Sequence, residues 1–419
     1  MNDDLIFIQI AAYRDDELLP TLRDCVEHAS NPSRLRFGIC WQRTAAETLA
    51  EFAEDSRVKI FQVSAERSRG ACWARRKVQE LYDQEAYTLQ LDSHHRFVDG
   101  WDEILVDMLE GLRRRGHEKP LITAYVPYYD PENDPEKRHN EPLRMRFDGF
   151  SDDGPFRVMP EFLSNFQELN EPEPARFFSG HFAFTLGRFC NEVPYDPQFY
   201  FFGEEPSMAM RAYSQGYDLF HPHKLVAWHF YGRDSSPRHW ADHQRWWFRN
   251  ELSMQRFRVL VDEGLRGIVG ADSSLAPYGM GTARSLQDYE RYAGISFEFK
   301  GATAHAMKPL PPPEPVPPQT AEEWRCMLSL SYELRVTISQ EELPSAPEDY
   351  DFVFVGAHSA NGEELCRYDL LGDELLQSLQ EGFYQLSFMS TQSPVSWTVW
   401  PYLRGKGWGT KSTSPIKNE

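Results

Sequence analysis

Hydrophobic runs of strand length alternate with helix-like segments in the first part of the chain. The apolar run at 5–10 has the continuous hydrophobic pattern of a strand that is buried on both faces, and two further strands are predicted at 35–41 and 58–63. A fourth strand is predicted over 87–91, where hydrophobic and polar residues alternate. Strands separated by helices predict right-handed βαβ units in a parallel sheet. The expected fold class is therefore α/β.

A proline-rich run at 309–319 divides the chain into a long and a short part. Such a run favours the polyproline II conformation and predicts a semi-rigid spacer. Residues 1–308 suit one large α/β domain, although 129–174 is rich in Pro, Asp and Glu and predicts an irregular loop region. Residues 320–419 contain short alternating runs, which predict a small β-rich accessory domain.

The composition is acidic and limits the class of partner. The formal net charge of the 419 residues is −20, which argues against binding to nucleic acid or to an anionic membrane. No hydrophobic run is long enough to span a bilayer, and the N-terminus lacks the basic region of a signal peptide. The six cysteines form no Cys-X-X-Cys pair, which is typical of reduced thiols. These features predict a cytoplasmic protein.

The strand over 87–91 is followed directly by Asp92, Ser93 and His94. Because strand side chains repeat with a period of two, Asp92 and His94 point the same way and Ser93 points back. Ligands bind at the carboxyl ends of strands in open α/β sheets. A carboxylate beside an imidazole can hold one divalent ion there. From spacing alone, a strand end capped by Asp92 explains the motif equally well.

Two later segments contribute further candidate residues. His229 ends an apolar strand predicted over 225–231, although a histidine among aromatic residues is more often a hydrogen-bonded core residue. Glu204 and Glu205 follow Gly203 at the start of a predicted helix. The favourable position of acidic residues at a helix N-terminus explains Glu205. Glu204 is therefore the better candidate for a carboxylate in a functional site.

Basic residues near these segments are candidates for contacts to a phosphate group. Arg69 precedes a helix predicted over 71–82, where backbone amides and a cation could bind a diphosphate. A solvated basic turn is the alternative. The segment 230–239 follows His229 and contains Arg233. Its Gly and Pro residues fit a lid that closes over a diphosphate, and they fit an ordinary loop equally well.

Four motifs occur here in the order that they have in a known enzyme family. They are IQIAAYRD at 8–15, GICWQ at 38–42, LDSHHRF at 91–97 and GEE at 203–205. As an ordered set within about residues 5 to 260, they resemble the polypeptide α-N-acetylglucosaminyltransferases, which modify hydroxyproline in cytoplasmic proteins and have bacterial members.

A more distant similarity is to the mucin-type polypeptide N-acetylgalactosaminyltransferases. That family shares the Asp-Ser-His metal motif and a distal histidine ligand. The segment from Ser179 to Phe182 resembles its Gly-Gly-Leu-Phe motif, with Ser179 in place of the first Gly. The segment from Gly203 to Glu205 resembles its Gly-Glu-Asn motif, with Glu205 in place of the Asn.

The resemblance implies a GT-A fold and a retaining transfer of N-acetylglucosamine from UDP-GlcNAc, with UDP-GalNAc as the second donor. The implied acceptor is a hydroxyl of a polypeptide, in hydroxyproline, Ser or Thr. The implied cofactor is Mn²⁺, with Mg²⁺ as an alternative, held by Asp92, His94 and His229. We expect the accessory domain to assist acceptor binding or to form a homodimer.

The resemblance also implies roles for the other candidate residues. Contacts to the UDP part of the donor are implied for Ala11, Tyr13, Arg14, Arg69, Arg75, Asp92, Ser93 and Arg233. Catalytic contacts to the donor sugar and the acceptor are implied for His181, Glu204 and Glu205. In this interpretation Glu204 orients the sugar, and the departing UDP takes the acceptor proton.

Two other functional classes are compatible with the residues. One is a metal-dependent hydrolase or phosphotransferase acting on nucleotide sugars, which would release sugar whatever the acceptor. The other is a non-catalytic protein that binds a glycan or peptide on a transferase fold, which would not bind UDP-sugar. The intact Asp-X-His motif argues against the non-catalytic class.

Overall fold

The computed structural model describes two compact units. One comprises Met1–Gly294 with His305–Pro317, and the other comprises Ile295–Ala304 with Pro318–Glu419. The described residues are 4–45, 48–52, 54–151, 153–232, 236–338, 343 and 346–416. Among them, no helix combines the length and the apolar character that a membrane span requires.

The first unit alternates strands and helices. Its strands are β1 (Ile6–Tyr13), β2 (Leu35–Arg43), β3 (Val58–Ser64), β4 (Tyr87–Leu91), β5 (His95–Phe97), β6 (Pro120–Thr123), β7 (Leu143–Phe150), β8 (Phe156–Phe162), β9 (Glu173–Pro174), β10 (Phe182–Leu186), β11 (Asp218–His221) and β12 (Ala227–His229). The helices before residue 308 are α1 (Leu18–Glu27), α2 (Ala71–Gln79), α3 (Trp101–Arg114), α4 (Phe189–Glu192), α5 (Glu204–Ser214), α6 (His239–Asp242), α7 (Trp246–Leu265), α8 (Leu286–Ala293) and α9 (Ala304–Met307).

The main sheet has eight strands in the order β3-β2-β1-β4-β10-β6-β11-β9. β1, β2, β3 and β4 are mutually parallel where they pair, and β10 runs antiparallel to both β4 and β6. The chain moves outward from β1 to β3 and then returns to place β4 on the other side of β1. Such a reversal of strand order opens a crevice at the carboxyl ends of the two central strands.

β1 packs against hydrophobic residues on both of its faces. Ile8 belongs to a large buried cluster with Trp101 of α3, whereas Phe7 packs in a second cluster with Trp73 and Val78 of α2. The continuous apolar run therefore marks a strand covered by helices on both sides. The predicted α/β class is confirmed.

Thr21 of α1 fixes the backbone between β4 and β5. Its Oγ1 accepts a hydrogen bond from the His95 amide at 2.9 Å. The same hydroxyl lies 3.0 Å from the carbonyl oxygen of Ser93 and 3.2 Å from that of His95. This buried side chain holds the segment that carries Ser93 and His94 in one conformation.

The irregular region predicted over 129–174 contains an antiparallel hairpin of β7 and β8. The sequence over 240–260 predicts one helix rich in Trp, Phe and Arg, but the structure has two, since α6 ends at Asp242 and α7 begins at Trp246. Both differences arise from pairing and packing with other parts of the unit, which the local sequence pattern does not encode.

The second unit is rich in β-strands, and the predicted β-rich C-terminal region is confirmed. Its strands are β13 (Ile295–Ser296), β14 (Gly301–Thr303), β15 (Leu328–Thr337), β16 (Tyr350–His358), β17 (Glu364–Leu370), β18 (Phe383–Ser390), β19 (Ser396–Leu403), β20 (Gly407–Trp408) and β21 (Ser412–Pro415), and its helices are α10 (Ala321–Met327) and α11 (Gly372–Glu381).

The strands of this unit form two antiparallel sheets, β13-β14-β15-β18 and β17-β16-β19-β20, with β21 paired to β19. β14 precedes the proline-rich run in sequence but pairs with β15 after it. The predicted domain boundaries at 308 and 320 stay a prediction, and residues 305–317 group with the first compact unit.

Candidate active site

Three potential metal ligands converge beside the carboxyl end of β4. Asp92 and His94 follow β4, while β12 pairs antiparallel with β5 and thereby sets His229 opposite His95. The Oδ2 atom of Asp92 lies 3.8 Å from His94 Nε2 and 3.5 Å from His229 Nε2. One ligand atom from each of Asp92, His94 and His229 lies within 4.8 Å of the other two. The arrangement is that of a three-ligand centre for one cation.

A carboxylate behind this cluster orients His94. The Oδ2 atom of Asp15 lies 2.8 Å from His94 Nδ1 and also accepts a hydrogen bond from the Ser93 hydroxyl. Since Nδ1 is engaged, Nε2 is the ring nitrogen that faces Asp92. A carboxylate behind a ligating imidazole is common at metal centres, where it fixes the orientation of the ring. Asp15 is the last residue of the IQIAAYRD motif, and no role was predicted for it.

Arg75 joins the cluster to the acidic residue at the start of α5. Its Nη2 donates to Asp92 Oδ1 at 2.7 Å, and its Nε lies 2.8 Å from Glu204 Oε1. Burial favours a lower pKa for Arg75, but Glu204, Tyr195 and Asp92 outweigh burial and raise it. Burial likewise acts to raise the pKa of Asp92, which Arg75 and His229 nevertheless hold well below its usual range. Both groups are therefore charged at neutral pH.

Glu204 and Glu205 occupy different environments although they are adjacent. Oε1 of Glu204 accepts a hydrogen bond from the Tyr195 hydroxyl at 2.8 Å. Glu205 instead accepts hydrogen bonds from the Gly180 amide and the Tyr125 hydroxyl, each at 2.8 Å. Burial raises the pKa of Glu205 to about 7, against the lowering effect of these two hydrogen bonds.

His181 packs on His229, with ring centroids 4.3 Å apart. Its Nε2 accepts from the Val126 amide at 3.2 Å, and its Nδ1 lies 3.2 Å from the Ser179 hydroxyl. Burial lowers the pKa values of both His181 and His229 well below the usual range. Both rings are therefore neutral at pH 7. The packing of His181 against His229 restricts the orientation of the His229 ring.

A cavity of about 310 Å³ opens in front of the cluster. The predicted site residues that line it are Ala11, Tyr13, Arg75, Asp92, Ser93, His94, Glu204 and His229. The structure does not place Arg14, Arg69, His181 or Glu205 in this lining. Arg233 lies outside the described residues.

Several residues that line the cavity have no role assigned from the sequence. They are Tyr200, Phe201, His239, Trp240 and Gln42. The aromatic run before Gly203 was a signal for the first two. Gln42 lies in β2, and His239 and Trp240 lie in α6, so their approach to the cavity depends on tertiary packing.

The segment around α6 covers the end of β1. Asp242 accepts hydrogen bonds from the Tyr13 hydroxyl and from Arg14 Nη1, both at 2.6 Å. The His239 ring lies 5.0 Å from that of Tyr13 and 2.8 Å, through Nδ1, from the Tyr200 hydroxyl. Arg14, expected at the uridine, is thus held by Asp242. That 230–239 moves as a lid stays a prediction.

The sequence of the chain matches one family model. The family is described as Glycosyltransferase (GlcNAc), and the matches cover residues 5–54 and 46–299, more than half of the chain. No curated protein matches the sequence significantly.

Similar solved structures have low sequence identity to the chain. GalNAc-T7, in a crystal structure with UDP, GalNAc and Mn²⁺, is 14% identical with a TM-score of 0.44, over 68% of this chain and 54% of that chain. TarS 1–349 of S. aureus, in complex with UDP-GlcNAc, is 11% identical with a TM-score of 0.36, over 57% of this chain and 61% of that chain. The chain therefore covers less than two thirds of either of these two.

Glu205→Gln is expected to change the pH dependence of stability. The pKa of Glu205 is raised from 4.5 to about 7, so the folded state favours the protonated carboxyl. The stability that Glu205 contributes is present below pH 4.5 and falls as the pH rises through about 7. Relative to wild type, the variant should gain about 1–3 kcal/mol in free energy of unfolding between pH 5 and pH 8.

Denaturant unfolding at the two pH values measures this difference. Glu263→Gln is the control. Burial acts to raise the pKa of Glu263, but the Ser273 and Ser274 hydroxyls lower it below its usual 4.5, so the difference between this variant and wild type should stay nearly constant between pH 5 and pH 8. Equal pH profiles for wild type and Glu205→Gln would contradict the prediction.

Proposed function

The chain belongs to the GlcNAc glycosyltransferase family, and from that premise we propose a retaining, metal-dependent transfer of N-acetylglucosamine from UDP-GlcNAc to an acceptor hydroxyl. The observation that carries this proposal is the convergence of Asp92, His94 and His229 on one point beside the cavity. They stand where strand order reverses, between β1 and β4, which is where α/β sheets of this type, GT-A included, bind nucleotide ligands.

The donor set fits Mn²⁺, with Mg²⁺ as the weaker alternative because imidazole ligands favour the transition metal. Among the residues that the structure describes, no hydrogen-bond partner reaches either buried ring nitrogen of His229, which is costly unless a ligand engages one of them. The lowered pKa of His229 keeps its ring neutral and available for coordination. When bound, the ion supplies Lewis-acid stabilisation of the charge on the departing diphosphate.

The donor would lie along the carboxyl ends of β1 and β4. Ala11 and Tyr13 form the wall nearest β1, which suits the uridine. Gly70 and Ala71 line the cavity at the N-terminus of α2, where backbone amides attract an anion. A Cβ atom on residue 70 would lie 2.7 Å from the Tyr200 ring, so a side chain there is excluded. This wall suits a diphosphate.

Glu204 is the carboxylate proposed to face the sugar. Arg75 and the Tyr195 hydroxyl fix its orientation, so its negative charge can stabilise positive charge that develops at the anomeric carbon. The acceptor oxygen forms its bond to that carbon on the face from which the UDP oxygen departs. The acceptor proton passes to the departing diphosphate oxygen, and the configuration is retained.

The remaining assignments are also proposals. The acceptor is a polypeptide hydroxyl, in hydroxyproline, Ser or Thr, and the protein acts in the cytoplasm. The β-rich unit assists acceptor binding or forms a homodimer. His181 holds His229 in place, and Glu205 anchors the Gly180 amide beside Glu204.

A panel of UDP-sugars with Mn²⁺ tests the proposed function. We expect UDP-GlcNAc to be the best donor and UDP-GalNAc the second, measured as UDP release and as sugar transferred to hydroxyproline, Ser and Thr peptides. Preference for UDP-glucose or UDP-galactose would contradict the donor assignment. Sugar release at one rate with every acceptor would indicate a hydrolase instead.

Asp92→Asn is expected to abolish Mn²⁺-dependent donor binding and to leave the fold intact. The change removes a ligand charge, while Glu204 still compensates Arg75. Affinity for UDP-GlcNAc in calorimetry should fall about 100-fold or more, and EDTA should have the same effect on the wild type.

Asp218→Asn is the matched control for this variant. Asp218 is similarly exposed and contacts a cation and an imidazole, with Arg284 Nη2 at 2.6 Å and His117 Nδ1 at 2.7 Å, but it does not line the cavity. Unchanged Mn²⁺ dependence in Asp92→Asn would disprove the proposed centre.

Glu204→Gln is expected to bind UDP-GlcNAc but to lose transfer. The amide keeps the volume and can accept from Tyr195, while the charge facing the anomeric carbon is lost. The value of kcat should fall about tenfold to a thousandfold with little change in donor affinity. Glu263→Gln, also a buried glutamate held by hydroxyl groups, should retain full activity. Unchanged kcat in Glu204→Gln would assign it a structural role.

A further inference from the structure

A groove lined by α2 and α7 adjoins the cavity of the first unit. It consists of two hollows of about 730 and 530 Å³, which share Arg69, Pro197 and Gln198 in their lining. Tyr200 lines both the larger hollow and the cavity. The groove and the cavity are therefore neighbouring spaces that meet at Tyr200.

Cations dominate the polar lining of this groove. They are Arg69, Arg76, Lys77, Arg249 and Arg256. Glu80 is the single acidic residue among the lining residues that the structure describes. It lies 2.7 Å from Lys77 and 3.7 Å from Arg76, so one carboxylate is shared between two cations. Arg256 is also paired, with the buried Asp196. An excess of positive charge still remains here, from Arg69, Arg249 and the pair of Arg76 and Lys77, in a chain with a net charge of −20. We call this surface the basic groove.

The wall formed by α7 adds exposed apolar side chains. Phe248, Leu252 and Val259 are 52%, 45% and 38% exposed, respectively, and all three line the larger hollow. Their spacing of four and seven residues places them on one face of the helix. Exposed apolar side chains on one helix face, interspersed with cations, suit a partner that has both apolar and charged groups.

We propose that the basic groove binds the acceptor, and that the acceptor segment is an acidic polypeptide with apolar side chains. This inference rests on the proposed transferase function. The cations select a partner with negative charge, which the rest of this acidic chain would repel. The stripe of Phe248, Leu252 and Val259 suits the apolar side chains of a peptide better than the hydroxyl-rich surface of a glycan.

The basic groove also explains the position of Arg69. Arg69 was predicted to contact the UDP part of the donor. It lines the groove instead, and the next residue, Gly70, lines the cavity. Arg69 therefore stands at the junction of the two. An acidic residue of the acceptor held by Arg69 would leave the neighbouring hydroxyl residue to enter the cavity beside Tyr200.

The test measures peptide binding to the full chain without donor. The probes are a fluorescein-labelled peptide of alternating Glu and Leu with one central Ser, the same peptide with Lys for Glu, and an oligogalacturonate of equal charge. We expect fluorescence anisotropy to detect binding of the Glu peptide alone, weakening with added salt because the attraction is ionic.

Two charge-removing variants give a matched comparison. Arg76→Gln with Lys77→Gln removes two adjacent cations from the last turn of α2, and Arg113→Gln with Arg114→Gln does the same in α3. The first pair should weaken Glu-peptide binding about fivefold to tenfold, and the second should leave it unchanged. Phe248→Ser should weaken binding through the apolar stripe, with less effect on its salt dependence.

Several results would overturn the basic groove as the acceptor site. One is an equal effect of the two double variants on binding of the Glu peptide, and another is no binding of the Glu peptide at all. The third is that oligogalacturonate binds more tightly than the Glu peptide and that Phe248→Ser does not change its binding. Calorimetry with UDP-GlcNAc and Mn²⁺ keeps the two proposals apart. Failure of donor binding in wild type counts against the transferase, whereas failure of the peptide comparison counts against the groove.

Discussion

The buried guanidinium of Arg75 is the constraint on which the site depends. It is 6% exposed and lies between two carboxylates, Asp92 after β4 and Glu204 at the start of α5. A buried charge is tolerated only when it is paired, and removal of one partner from such a pair typically costs about 3–5 kcal/mol. Since Arg75 has two partners, loss of either leaves it paired. Helix α2, strand β4 and helix α5 are held in one arrangement by these contacts.

Pairing between strands brings the third candidate metal ligand, His229, to the cluster. His229 reaches the cluster because β12 pairs with β5, immediately after Asp92 and His94 in the chain. Thr21 holds that short connection through the amide of His95 and the carbonyl of Ser93. Three ligand atoms therefore converge through backbone pairing, so the site does not rely on flexible loops for its geometry.

The sequence predicts the parts of this site that have a local pattern. Alternation over 87–91 identifies β4 and brings Asp92 and His94 to its carboxyl end, and apolar runs identify β1 to β3. The period of two does not continue past β4, because Ser93, predicted to point back, lines the same cavity as Asp92 and His94. Contacts between distant segments leave no such pattern. The Arg75 contact to Glu204, the hairpin inside 129–174 and the pairing of β14 with β15 all depend on residues far away in the chain. The resemblance to a known family supplied His229, whereas Asp15 and Tyr200 had no assigned role.

Charge balance connects the centre to the ligands proposed for it. Arg75 carries one positive charge against the two negative charges of Asp92 and Glu204, and the neutral rings of His181 and His229 add none. This group of side chains is net negative and opposes a diphosphate, although Arg238 adds a second cation to the cavity lining. A divalent cation bound by Asp92, His94 and His229 reverses that sign and makes donor binding favourable. An acidic acceptor faces the same repulsion, which the cations of the basic groove offset outside the cavity. In this acidic protein, the proposed diphosphate donor and the proposed acidic acceptor thus each require a separate group of positive charges.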